Sequence, residues 1–373
     1  MTRDEIQNEG LYYAESYKNV IYEWSTGVGK SLLAIKIIEK SNENWLIVLA
    51  EVIHKENWII EFKKCHKEYL LDRVKFCCYP SLHKYINEKN YIFDEMHHLF
   101  SDKRLEILSD IKVTLQRFIG LSATITRTQK DKLKEILGNY YIHKFSLSEA
   151  IDSDILPTPS VYFIGIDLDN TQKCYKFEFN SQKYVMCTSE DYYKRLSDRV
   201  EYFKLRFFNS QNNFDKLKWL KSANNRKSFL CDYKTEAGKA LIEHIKSKRF
   251  ICFAGNISQA LELSNDRIIS SKTTKKQNQE YLTKFNSEEI NSIFCVKMLK
   301  EGVNLNNIEV GIIIQLDNVN LYFTQIHGRS LRSKFPTQYV LYVRNTQDEN
   351  YVKTALEDFN LDYVRFININ ELI

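Results

Sequence analysis

The sequence predicts an α/β protein with two tandem domains, each a mostly parallel sheet flanked by helices. Its 373 residues are too many for one ordinary core and suit two domains of about 150 to 200 residues. Short apolar runs alternate with helical patterns in both halves. Between them, Pro157 and Pro159 keep the segment "SDILPTPS" extended. We therefore expect a first domain at 1–147, a linker at 148–160 and a second domain at 161–373.

The strands of both domains are predicted from apolar runs bounded by polar residues. In the first half these runs are "KNVIYEW", "WLIVLA", "VKFCCY", "YIFD" and "FIGLS", and helical patterns such as "SLLAIKIIEK", "KENWIIEFKKC" and "DKLKEIL" lie among them. In the second half they are "VYFIGI", "FICFA", "RIIS", "SIFCV", "VGIIIQL" and "YVLYV". Strands that alternate with helices are typical of a parallel sheet.

The composition narrows the class of protein. A hydrophobic content of 43% and a charged content of 27% are typical of a soluble globular protein. No run of about 18 apolar residues could span a bilayer, and the start "MTRDEIQNEG" lacks the apolar core of a signal peptide. We expect a cytoplasmic protein with no membrane partner. The net charge of +5 is compatible with a polyanionic partner.

The eight cysteines form no CxxC pair. Several, such as Cys252 and Cys295, lie inside apolar runs, which favours buried free thiols. The alternative is a zinc site, although adjacent cysteines suit tetrahedral ligation poorly. Its ligands would be Cys65, His66, Cys77 and Cys78.

A basic helical segment is predicted at 189–227, and two interpretations of it stay open. Residues 194–227 hold ten Lys/Arg against three Asp/Glu. The aromatic residues among them are Tyr202, Phe203, Phe207, Phe208, Phe214 and Trp219. Positive charge with aromatic rings can bind a nucleic-acid backbone and stack on bases. The same spacing fits an amphipathic helix pair whose aromatic residues pack on the second domain.

The stretch "WSTGVGKS", residues 24–31, predicts a phosphate-binding loop between a strand and a helix. Such a loop aims backbone amides and a helix N-terminus at phosphate groups. Its glycines allow close approach, Lys30 would reach the β and γ phosphates, and the Ser31 hydroxyl would bind Mg²⁺. Trp24 stands where the general pattern has its first glycine. The predicted binding residues are Thr26, Gly27, Gly29, Lys30 and Ser31. For the loop alone, a chance Gly-Lys-Ser in a solvated turn is the alternative.

A second stretch, "YIFDEMHHL", supplies the acidic residues that a nucleotide site needs. Asp94 ends an apolar strand, where it could hold Mg²⁺, and Glu95 follows in a position to orient an attacking water. Further along the chain, "RFIGLSATITR" contains Ser122 and Thr124, and "QIHGRSLR" contains Gln325, Gly328, Arg329 and Arg332.

In this order, the TGxGKS loop, the DExH tetrapeptide, SAT and QxxGRxxR resemble motifs I, II, III and VI of the superfamily 2 helicases and translocases. The segment "VKMLKEGVNLNN" is similar to motif V, so the resemblance covers nearly the whole chain. In detail the chain looks most like the DExH group that includes phage UvsW-type helicases, restriction-enzyme translocases and chromatin-remodeller-type motors. In this family a residue other than glycine often opens the loop, which accommodates Trp24.

The resemblance implies two RecA-like domains with the ATP site in the cleft between them, and ATP and Mg²⁺ as cofactors. By the same resemblance, Arg329 and Arg332 are catalytic and Gln7 reads the adenine base. The residues that would couple the nucleotide site to motion or to nucleic acid are His97, Ser122, Thr124, Gly302, Asn304 and Gln325.

The function that the resemblance implies is an ATP-dependent motor on nucleic acid, with DNA favoured over RNA and single-stranded or branched DNA as the substrate. Replication, recombination or repair in a phage or mobile element is the expected setting, with the protein acting as a monomer. Two alternatives stay open: a duplex translocase that does not separate strands, and a non-catalytic clamp that binds ATP as a signal.

Overall fold

The computed structural model describes residues 1–180, 183–264, 268–296, 305, 307–316, 336–357 and 359–372. The chain forms two compact units. The first is Met1–Thr158, and the second begins at Pro159. This division falls inside the segment 148–160, in which we expected the linker.

The first unit is built on a sheet of six parallel strands in the order β3-β2-β4-β5-β1-β6. Its strands are β1 (Asn19–Trp24), β2 (Trp45–Leu49), β3 (Val74–Cys78), β4 (Asn90–Phe93), β5 (Arg117–Ser122) and β6 (Tyr141–Phe145). Its helices are α1 (Arg3–Ser16), α2 (Lys30–Lys40), α3 (Ile53–Lys64), α4 (Asp102–Ile111), α5 (Arg127–Leu137) and α6 (Leu147–Asp152), with 3₁₀ turns at Glu68–Arg73, Tyr79–Tyr85 and Met96–Leu99.

The central strands of this sheet are buried along their whole length. All residues of β1, β2 and β4 are buried, as expected for a parallel sheet covered on both faces. Phe93 and Phe118 stack across β4 and β5 with ring centroids 4.9 Å apart. Trp45 is buried at the start of β2, and its indole donates a hydrogen bond to Ser41 Oγ at 2.6 Å.

Local polar signals set where several helices of this unit begin. Thr2 caps α1, and it exchanges hydrogen bonds with the third helical residue, Glu5. Reciprocal capping boxes of this type also start α5 at Thr126 and α6 at Ser146. Each box satisfies amide groups that the first turn of a helix leaves without partners. Helix α6 occupies part of the expected linker and belongs to the first unit.

The second unit contains a sheet of seven parallel strands in the order β11-β12-β10-β13-β14-β7-β15, together with an antiparallel β8-β9 pair. Its strands are β7 (Ser160–Ile166), β8 (Tyr175–Asn180), β9 (Lys183–Cys187), β10 (Phe250–Ala254), β11 (Ile268–Ile269), β12 (Ser292–Val296), β13 (Val310–Ile313), β14 (Thr337–Val343) and β15 (Val364–Asn368). Its described helices are α7 (Ser189–Ser210), α8 (Asn213–Tyr233), α9 (Thr235–Ile245), α10 (Ile257–Ser264), α11 (Lys275–Asn286) and α12 (Gln347–Leu356), with 3₁₀ turns at Leu361–Tyr363 and Ile369–Glu371.

The predicted fold class, two α/β units with parallel sheets, is confirmed. The predicted strands are present, and the sequence patterns missed β6, β15 and the β8-β9 pair. The basic segment forms the two long helices α7 and α8, as the helical spacing indicated. Within the described residues, no helix combines the length and apolar character needed to cross a bilayer.

Candidate nucleotide site

The predicted phosphate-binding loop connects β1 to α2 and adopts a backbone that only glycine takes up easily. Gly27 has φ 93° and Gly29 has φ 108°, both in the region that L side chains rarely occupy. A Cβ at Gly29 would lie 2.9 Å from Gln7 Nε2, and one at Gly27 would lie 3.0 Å from Leu156 Cδ2. Helix α2 starts directly after the loop at Lys30. Its first amides have no helical acceptors and are available to an anion.

Lys30 lies inside the loop. Its ammonium donates a hydrogen bond to the carbonyl oxygen of Trp24 at 2.8 Å. Burial lowers the pKa of Lys30, and the nearby carboxylates of Glu95 and Asp94 oppose that shift. A cation in partly desolvated surroundings is favourable for an incoming phosphate, because the anion restores the charge balance that burial removes.

Asp94 follows the end of β4, and four contacts fix its position. Its amide donates to the carbonyl of Val48 at 2.9 Å, and its carbonyl accepts from the hydroxyl of Tyr79 at 2.9 Å. The carboxylate accepts from Trp58 Nε1 at 2.9 Å and from the amide of Glu95 at 3.1 Å. Glu95 itself has φ 46°, in the left-handed region. The chain therefore turns sharply after the strand, which is where backbone strain is commonly found at functional sites.

The loop and the acidic pair line one cavity of about 400 Å³. Its walls are formed by Arg3, Thr26, Gly27, Gly29, Lys30, Ser31, Leu32, His54, Asn57, Trp58, Glu61, Cys65, Asp94 and Glu95. A hydroxyl, two carboxylates and a lysine beside free helix amides suit a magnesium-bound polyphosphate, because Mg²⁺ prefers oxygen ligands and leaves several positions to phosphate and water. The structure thus brings together the predicted residues of the loop, Asp94 and Glu95.

The alternative zinc site is not formed. Within the described part of the chain, which includes all four candidate ligands, no three His, Cys, Asp or Glu side chains are grouped so that they could hold a metal ion. The predicted free thiols are present, since all eight cysteines are unpaired.

Three of the predicted coupling residues lie near the site but outside the cavity wall. His97 Nδ1 is 3.5 Å from Glu95 Oε2. Ser122 ends β5, and its hydroxyl donates to the carbonyl of Thr124 at 2.7 Å. This bond closes the turn that follows the strand. None of the three side chains lines the cavity.

Gln7 is fully buried on α1, and its amide nitrogen donates to the carbonyl of Gly29 at 3.1 Å. Its Oε1 has no hydrogen-bond partner in the described structure. A buried carbonyl oxygen without a partner is costly, and it would accept a bond from a ligand amino group. The position beside the loop is compatible with the predicted role of Gln7 at the adenine base.

Trp24 fills space behind the loop, and it is completely buried. Its indole donates to His143 Nδ1 at 2.8 Å, and His143 Nε2 lies 3.3 Å from Glu9 Oε1. Because an indole only donates, Nδ1 is the acceptor and Nε2 carries the proton toward the carboxylate. A Cβ at Gly10 would lie 3.0 Å from the indole ring, and the hydroxyl of Tyr22 donates to the carbonyl of Gly10 at 2.6 Å. The tryptophan therefore anchors α1 to the sheet and leaves the phosphate cavity clear.

The sequence patterns missed two residues of the site. Trp58, whose indole holds Asp94, lies in the quoted segment "KENWIIEFKKC", but its partner is 36 residues away along the chain. Arg3 donates to the carbonyls of Gly27 and Ile155 at 3.5 and 3.1 Å. No local motif indicates either contact.

The remaining predicted site residues lie outside the residues that the structure describes. They are Gly302, Asn304, Gln325, Arg329 and Arg332.

Comparison with known proteins adds evidence from the second half of the chain. A family model described as the helicase conserved C-terminal domain matches residues 229–334. That range contains the "VKMLKEGVNLNN" and "QIHGRSLR" segments in sequence, while the loop, Asp94 and Glu95 lie in the first half. The chain belongs to the superfamily 2 helicases.

Two relatives support this membership of the helicase superfamily. The chain is 24% identical over 335 residues to the DNA 3'-5' translocase XPB2 of Sulfurisphaera tokodaii, which covers 83% of this chain and 74% of the relative. It is 23% identical over 176 residues to a probable helicase, D10, of Escherichia phage T5, covering 43% of this chain and 38% of that one. This similarity supports a nucleic-acid motor.

Solved helicase structures share the fold. The superfamily 2 chain matches yeast (S. cerevisiae) Dbp5 bound to RNA and ADP BeF3 with a TM-score of 0.62 and 11% identity, over 99% of this chain and 90% of Dbp5. It matches the Pyrococcus furiosus Hef helicase domain with a TM-score of 0.55 and 12% identity, over 95% and 97% of the two chains. These likenesses support two tandem RecA-like domains in this helicase.

Proposed function

We propose that the protein is an ATP-dependent motor that moves along or remodels DNA. The observation that carries this proposal is the single cavity in which Lys30, Ser31, Asp94 and Glu95 meet at the end of a parallel sheet. Ligands of open α/β sheets bind at the carboxyl ends of the strands. Membership of the helicase superfamily supports nucleic acid as the track.

In the proposed mechanism the loop amides and Lys30 bind the β and γ phosphates. Ser31 and Asp94 would hold Mg²⁺, which neutralises phosphate charge and polarises the reacting phosphoryl group when bound. Glu95 would orient the attacking water. Arg329 and Arg332 would stabilise the charge that develops during transfer, a role worth about 10³- to 10⁵-fold in turnover for arginine fingers of other enzymes.

DNA is the proposed nucleic acid, in single-stranded or branched form. The DExH-type motifs favour it, and the relative XPB2 is named a DNA translocase. A phage or mobile element is the proposed setting, supported by the similarity to the phage protein D10.

The first test is ATP turnover by the Lys30→Ala variant. Removing the loop cation should abolish turnover and leave thermal unfolding unchanged, because the side chain contacts the backbone of its own loop. Lys40→Ala, at the exposed end of the same helix, is the matched control and should hydrolyse ATP at the parental rate. Undiminished turnover in the Lys30 variant would remove the site assignment.

The second test separates binding from hydrolysis. Glu95→Gln should bind MgATP but not hydrolyse it, because only the water-orienting carboxylate is lost. Turnover should be compared without nucleic acid and with single-stranded DNA, duplex DNA, branched DNA and RNA. Stimulation by RNA alone would contradict the DNA proposal. An intact site that binds ATP without turnover would favour the non-catalytic clamp.

Duplex translocation without strand separation is the second candidate function. The name of XPB2, a DNA 3'-5' translocase, favours it. Unwinding of a forked duplex and displacement of a protein from a duplex, measured side by side, distinguish the two. Displacement without unwinding would favour the translocase.

A further inference from the structure

Helices α7 and α8 form a hairpin whose turn is tightly fixed. Gln211 and Asn212 connect them, and Asn212 Oδ1 accepts from the amide of Asp215 at 2.8 Å. The buried Asp215 carboxylate accepts from the hydroxyl of Ser210 at 2.8 Å and pairs with Arg206 Nε at 3.3 Å. The buried acid at the turn is therefore neutralised, and the turn has one well-defined geometry.

Only one end of this hairpin is embedded in the second unit. Near its root, Leu196 and Phe229 belong to a core cluster with the β8-β9 pair. We call residues 201–221 the hairpin tip, and in the tip only the capping aspartate is buried. There the two helices pack on each other, with the rings of Phe207 and Trp219 stacked at 5.8 Å and 24°. The ten tip residues of α7 span about 15 Å at the rise of an α-helix.

The tip exposes an unusual amount of apolar surface. Six large hydrophobic side chains are 51 to 66% exposed there, out of 19 exposed ones across the described residues. Along each helix they are spaced three apart, so neighbouring members touch the same stripe. They are Tyr202, Leu205 and Phe208 on α7, and Phe214, Leu217 and Leu220 on α8. Clustered exposed apolar surface marks an interaction site more often than scattered residues do.

The charge beside these stripes is positive and unbalanced. Lys216, Lys218 and Lys221 form no ion pair with an acidic side chain of the described chain. The exposed acid of the tip, Glu201, is paired with Lys204 at 3.2 Å. A partner for this surface therefore has to carry negative charge together with flat apolar groups.

We propose that the hairpin tip binds a single nucleic-acid strand, with bases stacked on the exposed rings of Tyr202, Phe208 and Phe214 and phosphates beside the lysines. Stacking with a basic surface is the general way of holding a single strand. Lys218 Nζ already lies 4.2 Å from the ring centre of Phe214, so charge and ring are adjacent. A second copy fits poorly, because a two-fold contact would bring lysines against lysines. The proposal deepens the proposed function and rests on it for the class of partner.

The test of stacking removes rings and keeps apolar area. The full chain is titrated without nucleotide against a fluorescein-labelled oligothymidylate of about 20 nucleotides, longer than the roughly 4 to 16 nucleotides of one binding fold, and anisotropy gives the Kd. Phe208→Leu with Phe214→Leu should raise the Kd by about tenfold or more. Leu205→Ala with Leu217→Ala removes exposed apolar area without removing a ring, and should leave the Kd unchanged.

The test of charge uses two triple variants with the same change in net charge. Replacing Lys216, Lys218 and Lys221 by Gln should weaken binding and lower the slope of log K against log salt by about 2, since each lost phosphate contact of a single strand contributes roughly 0.7. The control replaces three lysines that are paired with glutamates in the same unit, and should keep the parental slope. They are Lys239, Lys246 and Lys248.

The outcomes separate this proposal from the motor itself. Parental affinity in both tip variants, with Lys30→Ala inactive and turnover stimulated by DNA, would overturn the tip proposal and leave the proposed function standing. A larger loss in the leucine pair than in the phenylalanine pair would also overturn it, in favour of a protein partner. ATP turnover without nucleic acid should be the same in all tip variants. Failure of the parent to bind the strand would overturn the tip proposal directly.

Discussion

At the scale of single residues, Trp58 is the side chain that most directly controls a proposed ligand of Mg²⁺. It is buried, and its indole is the side-chain donor to Asp94 Oδ2. A hydrogen bond to a charged group contributes about 1.5–3 kcal/mol. Supporting residues of metal ligands typically change metal affinity by about 10- to 100-fold when they are removed.

The Trp58→Phe variant should therefore need about tenfold more Mg²⁺ for half-maximal ATP turnover, because the ring is kept and the donor is lost. Turnover at saturating Mg²⁺ should change much less. The measurement is the ATPase rate against Mg²⁺ concentration. Trp45→Phe removes a buried indole donor from the same unit and should keep the parental Mg²⁺ dependence. If both variants behave alike, Trp58 serves packing only.

The candidate site shows which residues a sequence can reveal. Lys30, Ser31, Asp94 and Glu95 are readable because each sits in a short motif whose spacing is itself the chemical requirement. The partner of Trp24 is not, because His143 is 119 residues away and the pair meets only after β1 and β6 are paired. Long-range contacts between single polar side chains leave no local pattern.

At the scale of elements, a buried ion pair ties the root of the hairpin to the second sheet. Lys234, directly after α8, donates to Asp348 Oδ2 at 2.5 Å and to Gln315 Oε1 at 2.8 Å. Gln315 also donates to Asp348 Oδ1 at 3.1 Å, and the amide of Val343 donates to Oδ2 at 3.1 Å. Lys234 and Asp348 are at most 1% exposed. The pair therefore joins the α8-α9 junction to the start of α12 and the end of β14.

Removing one charge should destabilise the second unit strongly. Lys234→Met leaves a buried carboxylate without its cation, and we expect a loss of about 3–5 kcal/mol in the free energy of unfolding. The double variant Lys234→Met with Asp348→Leu should recover most of that loss. Urea unfolding monitored by circular dichroism measures both. A loss below about 1 kcal/mol in the single variant would show that water or a neighbour compensates the charge.

The elements that sequence patterns missed have a common physical cause. Strands β6 and β15 lie at the edges of their sheets, where one side meets solvent and the apolar run is interrupted. Half or fewer of their residues are buried. The β8-β9 pair likewise stands apart from the main sheet. Interior strands such as β10 and β13 are continuously apolar because neighbours cover both faces.

At the scale of the whole molecule, the eight cysteines divide into classes of different accessibility. Five are buried, Cys65 and Cys78 are half-buried, and Cys174 is exposed. Burial raises the pKa of Cys77 to about 12 and that of Cys231 to about 11. The thiolate is the reactive form, so a raised pKa slows alkylation. In the native protein iodoacetamide should modify Cys174 first.

Cys65 offers a check on the nucleotide site that does not depend on turnover. It lines the cavity with Lys30 and Asp94. MgATP should therefore slow its alkylation, measured by mass spectrometry of peptides. Cys78 is half-buried too, has a pKa that burial raises in the same way, and lies outside the cavity wall, so its rate should not change. Equal protection of both cysteines would indicate a general stiffening of the unit instead of a nucleotide in the cavity.

The placement of the four tryptophans has an optical consequence. Trp24, Trp45 and Trp58 are at most 3% exposed, so their emission should be shielded from iodide in the folded protein. Trp219 is half-buried on the hairpin tip. Collisional quenching therefore reports on one residue, and that residue lies beside the proposed strand-binding surface. Intrinsic fluorescence of the unlabelled chain can then follow occupancy of the tip in real time, and the emission of the three shielded indoles serves as the internal reference.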